Sequence, residues 1–184
     1  NITGNQTIQL TGATALGKGI ESLIEQVVHT ASEVMHAERA TLFLLDRERD
    51  ELWSLVAEES GRRRIRVPAD SGIAGWVARH GEILHVPDAY ADERFNPEVD
   101  RRTGFRTRNM LCGPVRNLAG ETLGVVQVIH KQEGRLGAED RRLFQAFCHQ
   151  AGIAVENYQL YGRLVESHRK MGAMLEVANA VNET

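Results

Sequence analysis

The sequence predicts an α+β fold in which an antiparallel sheet is flanked by helices and a long helix follows it. Two observations point to the sheet. ATLFLLD (Ala40–Asp46) and ELWSLVAEE (Glu51–Glu59) are β-prone runs joined by a charged turn, and Met110–Asn117 and Thr122–Lys131 make a second such pair around NLAGE. A third observation points to the helices, because apolar residues recur at steps of 3 and 4 near both ends of the chain. The resulting order, αβββαβαββα, suits an α+β domain.

Residues 1–15 are polar and aperiodic and read as a tail or linker. Ile20, Leu23, Ile24, Val27, Val28, Ala31, Val34 and Met35 then form one apolar stripe, predicting a helix between about Leu16 and Ala37. After the first hairpin comes a basic run, Arg62, Arg63, Arg64 and Arg66, expected to be a solvated hairpin loop, and a short third strand over Ile65–Pro68. Ser71 is the expected N-cap of the helix GIAGWVARHG, which Gly81 closes. Asn96, Pro97 and Glu98 open a short helix: a capping side chain, a ring preset for the first turn, and an acid at the positive helix end. Gly104 supplies the left-handed residue that ends it.

Gly137, Ala138 and Glu139 open the last helix. Phe144, Phe147, Ala151, Ala154, Tyr158, Tyr161 and Val165 keep one register, and Leu160, Leu164, Met171, Met174, Ala178 and Val181 follow in a second. From Glu139 to Val181 the helix would reach on the order of 60 Å if unbroken, longer than one core needs. Its far half is expected to bury against another chain, a parallel homodimer being the favoured arrangement, and Gly172 is where it would break. The folded domain is placed at 16–162, with 163–184 a helical linker or the start of a following domain.

Composition restricts the function classes. The chain has 184 residues, 42% hydrophobic and 26% charged, as expected for one soluble domain with an extension. A net charge of −3 gives no basis for nucleic-acid or membrane attraction, and no apolar run is long enough to span a bilayer. The two cysteines, Cys112 and Cys148, lack C-x-x-C spacing, and no secretory signal is visible, so a reducing, cytoplasmic setting with buried thiols is expected. The histidines at 29, 36, 80, 85, 130, 149 and 168 include no i, i+4 pair, and no metal site is expected.

The most informative stretch is Val86–Pro114, VPDAYADERFNPEVDRRTGFRTRNMLCGP, a capped helix carrying Asp100, Thr103, Arg106 and Thr107 before a return to strand. It reads as a lid over a small-ligand pocket. With IRVPADSGIAGWVA (Ile65–Ala78) and HKQEGRLGAEDR (130–141), it resembles a GAF domain of the cyclic-nucleotide-binding kind found in phosphodiesterases and bacterial adenylyl cyclases, over roughly Gly19–Gly162. In the last motif Lys131 and Asp140 match the family's Lys and Asp, thought to brace the fold, while His130, Leu136 and Arg141 depart from its Asn, Phe and Glu. The resemblance implies a GAF-like antiparallel sheet, no catalysis within this segment, no bound cofactor, and a signalling helix leading to an output domain or a second GAF domain.

A cyclic nucleotide presents a phosphate, a ribose hydroxyl and a purine with polar edges. The backbone N–H groups of Ile73 and Ala74, in the first turn after Ser71, offer an anion site without a lysine, and Gly72 and Gly75 allow close approach. The resemblance adds Asp100, Thr103 and Thr107 on the lid, with Arg106 beside them, Thr41 on the first strand, Ala57 and Glu58 at the end of the second, and Gln127 on the last. Ala57 stands where a guanine-binding relative has a stacking Phe. The expected ligand is cAMP or cGMP, cAMP favoured, and the expected role is regulatory control of an attached enzyme domain through dimer helices. The alternative is a GAF dimerisation or protein-interaction module that binds no nucleotide. Methionine sulfoxide reduction, known among GAF proteins, would need clustered thiols, and bilin or haem attachment is a further relative's chemistry.

Overall fold

Six antiparallel strands form one sheet, in the spatial order Gly61–Pro68, Glu51–Glu58, Arg39–Asp46, Thr122–His130, Asn109–Arg116 and Leu84–Val86. The structure is a computed structural model and describes residues 19–58, 61–130 and 136–182. Its elements are α1 (Ile20–Val34), β1 (Arg39–Asp46), β2 (Glu51–Glu58), β3 (Gly61–Pro68), α2 (Gly72–His80), β4 (Leu84–Val86), a 3-10 turn (Ala89–Ala91), α3 (Glu98–Thr103), β5 (Asn109–Arg116), β6 (Thr122–His130) and α4 (Ala138–Asn182). The α+β architecture predicted from the sequence is the one observed. The 1–15 tail, and Lys131 with it, lie outside the described residues.

Both faces of the central strands are apolar, so strict alternation divides them between two cores. Ala40, Leu42 and Leu44 of β1 pack with Val126 and Val128 of β6 beneath α1 and α4, where Leu23, Val27, Phe144 and Phe147 are fully buried. Phe43, Val125, Ile129, Met110 and Cys112 face the other way, against Ile73 and Val77 of α2. Cys148 lies in the first core and Cys112 in the second, so the two buried thiols sit in different clusters. Burial pushes both thiols up, that of Cys148 to about 12. Gly113 admits α4: a Cβ there would lie 2.7 Å from Cys148 Sγ and 2.8 Å from Phe144.

The arginine run is not a loop. Gly61–Pro68 is a full edge strand, and Arg62, Arg64 and Arg66 alternate with Arg63, Ile65 and Val67. Arg62 pairs with Glu25 of α1, Arg64 lies 4.4 Å from the Trp53 ring centroid, and Arg66 bridges Asp46 at 3.1 Å and Glu51 at 3.0 Å. The arginines hid the strand's first half, so that only Ile65–Pro68 was expected as strand, but they also blunt an exposed edge against pairing with another chain.

Gly172 does not interrupt α4, which runs unbroken for 45 residues. Gly137 precedes its first turn and Asp140 Oδ2 accepts the Gly137 N–H at 2.7 Å, a half capping box that fixes where it starts. Its buried residues end at Val155, and Leu160, Leu164, Met171, Met174 and Val181 are all exposed. Among the described residues no helix is long and apolar enough to cross a membrane.

Candidate functional site

On the sheet face opposite α1 and α4, α2 and α3 cover a cavity of about 70 Å³. Its floor is the polar and aromatic part of the strands, Thr41, Phe43 and Gln127, with Arg39 at the margin. Its wall is the first turn of α2, and its roof is α3 with the residues on either side, Phe95, Asn96 and Phe105.

The wall follows from local sequence. Ser71 has the extended backbone of an N-cap (φ −89°, ψ 137°), and Gly72 takes φ +69°, a conformation that L side chains rarely adopt. The first intrahelical bond runs from Gly75 N–H to Ser71 O at 3.0 Å, so the N–H groups of Gly72, Ile73 and Ala74 have no acceptor within the helix. Gly75 is required where the chain folds back, since a Cβ would come within 2.6 Å of the Asp70 carbonyl carbon. The helix ends on Gly81, left-handed at φ +68°, as its sequence predicts.

The expected side-chain cap is absent. Ser71 Oγ instead accepts from Asn96 Nδ2 at 2.9 Å, tying the start of α2 to the lid. Asn96 also holds the lid helix itself, because its Oδ1 accepts the Glu98 N–H at 3.0 Å. Gly104, at φ +69°, closes α3 by donating its N–H to Asp100 O at 2.9 Å.

Of the residues expected to meet a ligand, Thr41, Ile73, Ala74, Asp100, Thr103, Thr107 and Gln127 come together in the lining. Three of them are already engaged in the lid. Asp100, 7% exposed, accepts from Thr107 N–H at 2.7 Å, Thr107 Oγ1 at 2.7 Å and Tyr90 Oη at 2.8 Å. Thr103 Oγ1 donates to Val99 O at 2.9 Å, inside its own helix. The Asp100 carboxylate thus clamps the return from α3 to β5 onto the 3-10 turn. The hydrogen bond to Asp100 favours the protonated phenol and holds the Tyr90 hydroxyl above its usual range.

Arg106 is not in the lining; its guanidinium lies 4.9 Å from the Tyr90 ring centroid on the lid's outer side. Ala57 and Glu58 lie on β2 in register with Arg62 and Gly61, and their side chains are outside the described residues. Sequence reasoning missed Arg39, Ser71 as a lid contact, and the ring set Phe43, Phe95 and Phe105. Arg39 sits 5.1 Å from the Phe105 centroid, a juxtaposition of β1 with the lid that no local spacing signals. A further stack fastens the lid from outside: Arg94 forms a two-pronged pair with Asp92 at 2.9 and 2.6 Å and lies 5.0 Å from the Trp76 centroid.

The chemistry of this enclosure is that of a small polar-aromatic pocket with open backbone donors at one end. Among the described residues no group of three His, Cys, Asp or Glu side chains could hold a metal. The GAF domain family matches residues 19–155. A probable 3',5'-cyclic phosphodiesterase, pde-5, of Caenorhabditis elegans is 33% identical over 170 residues, 86% of this chain and 23% of that protein. The dual 3',5'-cyclic-AMP and -GMP phosphodiesterase 11 of Drosophila melanogaster is 33% identical over 181 residues, 89% of this chain and 12% of that protein. The chain therefore spans less than a quarter of the length of either relative. Its fold is also that of the GAF domain from a phosphoenolpyruvate-protein phosphotransferase of Coxiella burnetii, with TM-score 0.66 and 17% identity over 83% of this chain and 92% of that one. With the family match running from the residue before α1 into α4, across the whole sheet and lid, the chain belongs to the GAF domain family.

Proposed function

We propose that this GAF domain is a regulatory sensor for a cyclic nucleotide, with cAMP favoured over cGMP, and that it controls an output domain elsewhere in its protein. The observation that carries this reading is the lidded cavity whose wall presents the unsatisfied N–H groups of Gly72, Ile73 and Ala74. A cyclic phosphate placed there meets backbone donors and the positive end of α2. Thr41 and Gln127 on the floor then face the sugar and base, and the phenylalanine rings cover the purine. Similarity to phosphodiesterases named for cyclic AMP and cyclic GMP supports the ligand class.

A volume of about 70 Å³ is far below the roughly 300 Å³ at which ligand pockets begin. A nucleotide therefore enters only if α3 lifts, and its binding is coupled to lid position. That coupling is the proposed signal, carried to a homodimer partner through the exposed half of α4.

The test is calorimetric titration of cAMP, cGMP and, as uncyclised control, 5'-AMP into protein unfolded, stripped and refolded. Saturable binding of a cyclic form is expected, weakened about tenfold by Gln127→Leu or Thr41→Val at unchanged thermal stability, the scale of one or two lost hydrogen bonds. Silence from correctly refolded protein ends this reading. It would favour the second one, a GAF interaction module without nucleotide, whose supporting observation is that Asp100, Thr103 and Thr107 already satisfy one another or the backbone.

A further inference from the structure

The start of α2 contains an unused option. Ser71 has the backbone conformation of an N-cap, and a serine there ordinarily accepts the N–H two or three residues on, which would be that of Ile73 or Ala74. No such bond forms. The hydroxyl is turned to the Asn96 amide 2.9 Å away, while Asn96 Cβ lies 3.4 Å from where a Cβ on Gly72 would be, so the asparagine sits directly over the first turn. The same side chain accepts the Glu98 N–H just before α3 at 3.0 Å, so its orientation is fixed at both ends of its amide.

We propose that Asn96 is a positioning residue that draws the Ser71 hydroxyl off the α2 N-terminus and so keeps the Ile73 and Ala74 N–H groups open for an anion. A serine free to cap would compete with the ligand for the same donors, and each donor it satisfied would be lost to an incoming phosphate. Because the residue that prevents this belongs to the lid, lid position and donor availability are one variable. With α3 seated, Ser71 is held and the donors face the cavity; with α3 lifted, Ser71 is released and caps. The lifted state thereby acquires its own stabilising bond, whereas the ligand-free chain rests with α3 seated and the donors open, and a ligand that has passed the lid binds fully only once the lid reseats. The effect on affinity rests on the nucleotide reading above, but the competition between Asn96 and the α2 donors does not.

The experiment has two readouts on the intact chain. Backbone amide exchange, followed by NMR without ligand, is expected to find the Ile73 and Ala74 amides fast-exchanging. One of them should slow about fivefold in Asn96→Ala, where Ser71 is free to cap, and return to fast exchange in the Asn96→Ala, Ser71→Ala double variant. Calorimetry with cAMP and cGMP is expected to find affinity about fivefold weaker in Asn96→Ala and stronger again in the double variant, with Ser71→Ala losing less than Asn96→Ala. A wild-type Ala74 amide already protected by Ser71 would overturn the proposal. So would a Ser71→Ala loss as large as that of Asn96→Ala, which would mean that the lid contact alone matters. If the exchange pattern holds and neither nucleotide binds, the positioning role stands and the nucleotide reading falls.

Discussion

Asp100 shows how much a single residue contributes to the lid. Its carboxylate serves three donors, two of them from Thr107, in a place nearly closed to water. Asp100→Ala would strand the Thr107 N–H and hydroxyl, and a loss of about 2–3 kcal/mol in urea unfolding is expected, with Asp100→Asn retaining part of it. The thiols make a second prediction at this scale. Cys112 and Cys148 are 0% and 4% exposed and both are held protonated by burial, so neither should react with a disulfide probe at pH 8 until urea unfolds the chain. At this scale the sequence was legible where a residue acts on its own backbone: Gly81 and Gly104 end their helices as their local spacing implies, whereas Asn96, expected as the N-cap of α3, lies one residue before the cap, Pro97, and accepts the Glu98 N–H from there. It was illegible where a side chain had two possible partners. Ser71 chose Asn96, 25 positions away, over its own helix, and Arg106 chose Tyr90 over the cavity.

Among the helices, α4 packs most extensively against the sheet, and a glycine decides how close it comes. A Cβ on Gly152 would overlap the backbone carbonyl of Arg116, which cannot swing aside as a side chain can. Alanine normally gains about 1 kcal/mol over glycine inside a helix. Gly152→Ala is nevertheless expected to destabilise by about 1–3 kcal/mol, measured by thermal unfolding, because overpacking outweighs propensity here. Gly172→Ala, on the exposed half with nothing near it, should show the ordinary gain in helicity instead. Strand β3 was the element least readable in advance. Its end, Ile65–Pro68, was expected as strand, but Gly61–Arg64 carry no apolar residue to show the alternation, and the arginines became intelligible only once Trp53, Asp46, Glu51 and Glu25 were beside them.

For the molecule as a whole, acid sensitivity and assembly are the measurable properties. Arg66 holds the Asp46 carboxyl below its usual range, and Arg94 does the same for Asp92. A lowered folded pKa means that these pairs contribute fully above the unfolded carboxylate value of about 3.9 and are lost as pH falls through the still lower folded values. The urea midpoint is therefore expected to decline with acidification below about pH 4, the Asp46 and Asp92 pairs contributing no slope above about pH 5. Replacing Asp92 with Asn should flatten part of the decline. Sedimentation should find a dimer for the full chain and a monomer when the chain stops after Gly162, with cyclic nucleotide affinity changed less than threefold if the cavity is complete within one protomer. The α+β order was readable because strand pairs and helices each repeat a simple period; the small size of the cavity was not, since it depends on rings from β1 and from both sides of α3 meeting at one point.

The unbroken course of α4 has a mechanical consequence. From Leu160 on every described residue of α4 is exposed, some 23 residues or about 34 Å at the helical rise. A tilt of about 5° where the helix leaves the sheet displaces the far tip sideways by about 3 Å. A tilt too small to rearrange the core would thus arrive at the end of the rod as a sideways step of several ångström.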